Sequence, residues 1–181
     1  CSGSSGNASY LDAGGVRLLV DAGVSAKRVE ELLGMIGVSA DTLTAILVTH
    51  EHSDHISGVD VLSRRYNLPV YADAACWERM RPQLAGVAPG NVRVFEPDRA
   101  FYLKELLVHP FTTPHDSAHS VGYAFSHGGK KLSVMTDIGH VSGRMLDAEA
   151  DSDLLLLEAN HDVDMLKAGS YPYPLKMRIL S

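Results

Sequence analysis

Polar and apolar residues along the chain switch between two periods, and the switches mark out the elements. Ala8-Ser9-Tyr10-Leu11 and Val16-Arg17-Leu18-Leu19-Val20 alternate on either side of Gly14-Gly15, which predicts a β-hairpin. Ser25 is an N-cap candidate for a helix over about 26–36, with Val29, Leu32, Leu33 and Ile36 inward and Gly37 placed to stop it. Residues 43–48, short, apolar and partly β-branched, predict a buried strand, and 56–62 returns to helical intervals. Leu68-Pro69-Val70-Tyr71-Ala72 predicts a strand, and a helix carrying Trp77 and Met80 starts at Asp73 or Ala74 and ends near Pro82. Strand-like runs follow at 92–95, 100–103 and 106–113, and His127-Gly128-Gly129-Lys130 joins two more at 121–126 and 131–135. Leu154-Leu155-Leu156-Leu157 reads as a fully buried strand or short core segment.

Strands and helices mixed in this order predict sheets covered by helices, an α/β sandwich. There is no internal repeat, low-complexity tract or interdomain linker, so residues 1–181 read as a single domain. With 45% hydrophobic and 21% charged residues, the chain is expected to be soluble and to bury a real core. No apolar run approaches the ~18 residues of a membrane helix. Cys1 and Cys76 offer no disulfide framework, and Cys76 reads as a packed thiol, which together predict a reducing cytoplasm. The net charge of −6 argues against a broadly basic nucleic-acid footprint. Bound cations would offset any ligand carboxylates counted in that figure.

Candidate chemistry is concentrated at Thr49-His50-Glu51-His52-Ser53-Asp54-His55, directly after the predicted strand 43–48. Imidazole and carboxylate donors on a tight strand-to-helix turn suit Zn²⁺, Mn²⁺ or Fe²⁺. His115, in Thr113-Pro114-His115-Asp116, and Asp137, in Thr136-Asp137-Ile138-Gly139, stand at the ends of later strands. The His-x-His-x-Asp-His spacing resembles the metallo-β-lactamase-fold hydrolases. That resemblance implies an αββα sandwich with metals at one sheet edge. His50, His52 and His115 would hold one metal, Asp54 and His55 would contribute to a second, and Asp137 would bridge both. Glu51 and Ser53 are expected to support the loop. His109, His119, His127 and His140 read as non-ligands, His119 and His140 being candidates for the rim.

The family closes its second metal position with a late Gly-His pair, whereas no histidine follows His161. The chain is therefore expected to be truncated at both ends, with the family's C-terminal strands and helix missing. Ser2-Gly3-Ser4-Ser5-Gly6-Asn7, read as a native loop, and Leu19-Val20-Asp21-Ala22-Gly23 are similar to the bacterial YycJ/WalJ-type exonuclease branch. So are Glu158-Ala159-Asn160-His161-Asp162, Tyr171-Pro172 and 175–179. Ser4, Ser5, Asn7, Asn160 and His161 are candidate substrate contacts.

The branch implies a DNA exonuclease or related phosphodiesterase with two divalent ions, Zn²⁺ or Mn²⁺, iron also being compatible. Cations about 3.5–4 Å apart would turn a shared water into hydroxide near neutral pH, with Asp54 orienting it. DNA is then the expected partner, no membrane is involved, and protein partners are not indicated. Two enzymatic alternatives use the same donors: a hydrolase of a small thioester, lactone or cyclic phosphodiester, and a mononuclear iron sulfur dioxygenase. A non-catalytic binding module would need eroded ligands, and every ligand position up to residue 181 is intact.

Overall fold

A computed structural model describes residues 6–158 and 163–180. The Gly14-Gly15 turn folds β1 (Ser9–Ala13) antiparallel onto β2 (Val16–Val20), with Ser9 opposite Val20 and Ala13 opposite Val16. From β2 the sheet continues in parallel through β3 (Ala45–Leu47), β4 (Val70–Asp73) and β5 (Val92–Phe95), in the order β1-β2-β3-β4-β5. Parallel neighbours need crossovers, and helices supply them. These are α1 (Ala26–Met35), the single turn α2 (Ser53–Ile56) with α3 (Val59–Tyr66), and α4 (Ala74–Met80). Ser25 caps α1 by accepting from Arg28 N, and Asp73 caps α4 by accepting from Ala75 N and Cys76 N.

The second sheet has the order β10-β9-β8-β7-β6. It comprises β6 (Phe101–Leu103), β7 (Leu106–Thr113), β8 (Ser120–His127), β9 (Lys130–Met135) and β10 (Leu154–Leu157), the last pairing in parallel with β9. Three apolar clusters define the layers. Leu19, Ile46, Val70 and Ala72 meet Val29, Leu33, Leu62, Trp77 and Met80 on the helical side of the first sheet. Leu18, Val20, Ala45 and Leu47 meet Leu106, Val108, Tyr123, Phe125 and Val134 between the sheets. Phe111, Ala124 and Met135 pack under Met145 and Ala148 of α5 (Gly143–Glu149). The order of layers is therefore α/β/β/α, as the resemblance implied. With both faces covered, β2 and β3 are continuous apolar runs. Two further helices, α6 (Val163–Ala168) and α7 (Tyr173–Leu180), follow β10. No helix among the described residues is long and apolar enough to cross a membrane.

Two burial expectations are corrected. Ile36 is 60% exposed, because α1 ends at Met35 and Gly37 takes φ +72°, which turns Ile36 off the inner face. Leu154 to Leu157 do form a strand, yet each is 40–64% exposed. Among the described strands, β10 pairs with β9 alone, at the end of its sheet. An apolar tetrapeptide fixes β-propensity but not what packs across it. Cys76 is buried against Met80, and burial pushes its thiol pKa up, as a packed thiol requires.

Candidate metal centre

The strand ends at Leu47, and the motif follows in two parts: His50 on the irregular stretch after β3, then Asp54 and His55 on α2, a single helical turn with His52 at its N-cap. That turn rests on the backbone after β2. Ala22 N donates to His55 O at 2.8 Å, and Gly58 N donates to Ala22 O at 2.7 Å. Gly23 is required there, since a Cβ would lie 1.5 Å from Asp54 O. The second sheet is joined to the same turn. Val121 N donates to Thr49 O (3.1 Å), and Ala118 N donates to Glu51 Oε1 (2.7 Å), so Glu51 supports the loop that carries His115. Gly139 N donates to Pro114 O at 2.8 Å, which holds the Asp137 loop beside His115.

Two compact donor groups result, His50–His52–His115 and His50–His55–Asp137, each with its ligand atoms within 4.8 Å of one another. In the first, His50 Nε2 and His115 Nε2 lie 3.1 and 3.4 Å from His52 Nδ1. Nitrogens bound tetrahedrally at 2.0–2.1 Å would stand ~3.3 Å apart, so the spacing fits a divalent ion. In the second, His55 Nε2 lies 2.9 Å from Asp137 Oδ2, a buried carboxylate oxygen. A buried carboxylate oxygen facing an imidazole nitrogen at this distance fits a cation held by both, because buried charge is costly without a partner. Asp54 stands outside both groups, its side chain one-third exposed and its Oδ2 3.9 Å from His55 Nε2. Asp137 itself takes a left-handed backbone, φ +49°, of the kind that collects at functional sites.

Sequence reasoning treated Asp21 as a strand ending and a branch motif, whereas the structure makes it the organiser of the turn. Asp21 is 1% exposed and also has positive φ. Its Oδ1 accepts from Thr49 N and its Oδ2 from Thr49 Oγ1, both at 2.8 Å, while Oδ2 also lies 2.8 Å from His55 Nδ1. Thr49 Oγ1 in turn meets His50 Nδ1 at 3.0 Å. The Nδ1 atoms are thus occupied from behind, and both Nε2 atoms face the centre. The signal available in the sequence was an aspartate ending an apolar strand just before Gly23.

The two histidines are pushed in opposite directions. Burial first, then the neighbouring imidazoles, push His50 down to about 2. Burial also opposes charge on His55, but the Asp21 carboxylate, and after it Asp137, raise it to about 10. Burial would raise Asp137, and His55 outweighs it and holds Asp137 low. Among the candidate contacts, Asn7 is buried with its amide 2.9 Å from His55 Nε2, while Ser4, Ser5, Asn160 and His161 lie outside the described residues. His119 places its Nε2 3.2 Å from Thr112 Oγ1 and its Nδ1 3.8 Å from Asp73 Oδ2. His140 is exposed.

A four-layer α/β/β/α sandwich with a histidine–aspartate cluster at one sheet edge defines a class, and residues 16–174 match the beta-lactamase superfamily domain. The chain belongs to that superfamily. It is similar to the exodeoxyribonuclease YycJ of Bacillus anthracis, 40% identical over 99% of this chain and 68% of that protein. It is likewise similar to the exodeoxyribonuclease WalJ of Streptococcus pneumoniae serotype 2, 42% identical with the same coverage. Among solved structures, the metallo-β-lactamase-fold protein YhfI from Bacillus subtilis shares the fold. Its TM-score is 0.71 at 21% identity, covering 87% of this chain and 65% of YhfI.

Proposed function

We propose that this metallo-β-lactamase-fold hydrolase is a DNA exonuclease that cleaves phosphodiester bonds with two divalent ions, Zn²⁺ or Mn²⁺. The observation that carries the reading is the convergence of His50, His52 and His115 at ligand-to-ligand spacing, beside a buried Asp137 oxygen 2.9 Å from His55 Nε2. The 40–42% identity to two exodeoxyribonucleases supports DNA as the substrate. Bound there, the ions supply a water acidified towards neutral pH and a counter-charge for the phosphate.

The residues divide the remaining work. His50, His52 and His115 would hold one ion through ring nitrogens. Asp54 and His55 would hold the other, with Asp137 shared between the two. Asp21 and Thr49 fix the direction of the rings. Asp54, half-buried and 3.9 Å from His55 Nε2, takes the proton of the attacking water at its carboxylate. The proposed setting is the cytoplasm, where a free thiol such as Cys76 stays reduced.

The test is release of nucleotides from end-labelled DNA by the purified chain, stripped of metal and reloaded separately with Mn²⁺ and Zn²⁺. Bis-p-nitrophenyl phosphate serves as the small competitor substrate. Metal-dependent shortening of DNA from its ends is the expected result. Turnover of the small diester with DNA left intact would overturn the choice of substrate. Activity independent of either ion would overturn the site.

A further inference from the structure

Among the described strands, β5 pairs with β4 alone and β6 with β7 alone, and the connection 96–100 joins these two margins. A cavity of about 450 Å³ opens there beside the inter-sheet core, within the ~300–1,000 Å³ of small-molecule sites. Its wall is aromatic. Tyr71 and Phe101 stand 6° from parallel with centroids 5.5 Å apart, and Phe95 lies 18° from Phe101 at 5.9 Å. Tyr71 and Phe101 are half-buried, packing against the core while bordering the cavity. Glu96 and Arg99, paired at 2.7 Å and both exposed, supply its charged groups. Backbone on both sheets ties the cavity to the metal centre. Val48 N donates to Tyr71 O at 2.8 Å, two residues before His50. Asp98 N donates to Pro110 O and Asp98 Oδ1 accepts from Thr112 N, both at 2.9 Å, on the strand that leads to His115. One strand spacing of ~4.8 Å sideways and two residues of ~3.3 Å along put the Tyr71 backbone on the order of 10 Å from that of His50.

We propose that this cavity is a stacking subsite for one unpaired nucleobase of the DNA strand being cleaved. The inference rests on the exonuclease reading above and deepens it. A base offers two flat π-faces to near-parallel rings and carries its polar atoms along its edge. Stacking on such rings tolerates every sequence, which suits an enzyme that removes each nucleotide in turn. Arg99 offers a cation to the strand's phosphates, and Glu96 an acceptor to an amino group on the base edge. With a net charge of −6 the chain attracts DNA weakly as a whole, so a local grip on the base takes a larger share of binding.

The experiment titrates the 181-residue chain, stripped of metal so that nothing is cleaved, into a short single strand carrying 2-aminopurine near its end. The fluorescence of that base falls when it stacks on an aromatic ring. Wild type is expected to quench the probe. Phe101→Leu, which keeps apolar bulk but removes the ring, should bind it about tenfold more weakly and quench it little. Phe101→Tyr, which keeps the ring, should behave as wild type. With metal restored, Phe101→Leu should raise KM for end-labelled DNA by a similar factor and leave turnover of bis-p-nitrophenyl phosphate unchanged, since that diester carries no nucleobase. Circular dichroism checks folding. Should Phe101→Leu not fold, Ala100→Leu decides, because Ala100 is exposed and its enlargement fills the cavity without touching the core. No quenching by wild type overturns the subsite, as does unchanged affinity and KM in the folded variant. Self-association of wild type that Phe101→Leu abolishes also overturns it, giving the cavity to a second copy of the chain. Quenching by a chain that leaves DNA intact even with metal would keep the base site and overturn the exonuclease reading instead.

Discussion

His50 and His55 sit five residues apart with ring centroids 4.0 Å apart, yet their surroundings push their pKa values in opposite directions. His50 is buried among three other imidazoles and is held neutral, its Nδ1 against the Thr49 hydroxyl. His55 is equally buried but lies between the carboxylates of Asp21 and Asp137, which favour its protonated form. Burial disfavours the charged form in both, and the presence of carboxylates decides the outcome. The nitrogen-lined half of the centre is therefore ready for a cation in the metal-free protein, whereas the oxygen-lined half must release a proton to accept one. A proton on His55 also keeps Asp21 and Asp137 from standing as uncompensated buried charges.

The largest effect is expected where the oxygen-lined half meets the substrate. Asp54→Ala should lower DNA turnover by about 10²–10⁴-fold, the range for a group that moves a proton in the reaction. Its melting temperature should stay near wild type, since the side chain is one-third exposed. Unchanged turnover in the folded variant would remove Asp54 from the chemistry.

Next comes the residue behind both halves. Asp21→Asn keeps the shape but removes the charge that faces His55 Nδ1. We expect a loss of about 10–100-fold in affinity for the second ion, the scale of outer partners. The His50–His52–His115 position should be affected less, which competition with a chelator can read for each ion in turn. Equal losses at both positions would erase the distinction between the halves.

The contrast also carries a pH signature. The pKa of His55 is raised in the fold from 6.5 to about 10, so its contribution to stability is fully present below about 6.5 and is lost as pH rises towards 10. Urea unfolding of stripped protein across that range should show a falling midpoint. The His55→Gln variant should lack this component, and so should protein loaded with metal, where His55 is already deprotonated. A slope in wild type that persists unchanged in His55→Gln would assign the titration elsewhere.

The smallest effect tests the separation between scaffold and centre. Tyr123 donates its hydroxyl to Val48 O at 2.6 Å between the sheets, one residue before Thr49. Tyr123→Phe should cost about 1–3 kcal/mol through the buried carbonyl left unpaired. Metal affinity should be unchanged, because the motif backbone is also held by Val121 N on Thr49 O. A large fall in metal binding would show that the turn is less independently braced than its hydrogen bonds indicate.

What the chain determined by itself was local in character. Period-two runs around Gly14-Gly15 and His127-Gly128-Gly129-Lys130 specified hairpins, Ser25 and Asp73 specified helix starts, and His50-x-His52-x-Asp54-His55 specified donors on one turn. Each of these depends on backbone geometry within a few residues. The tertiary structure decided everything that depends on which distant segment lies alongside. It brought His115 to His52 across 63 positions, and Asp137 to His55 through the link between Gly139 and Pro114. It turned Asp21 from the end of a strand into the partner of Thr49 and His55. Burial and electrostatic fields are set by neighbours in space, so identical histidines a few residues apart acquire different protonation only once the sheets are in place.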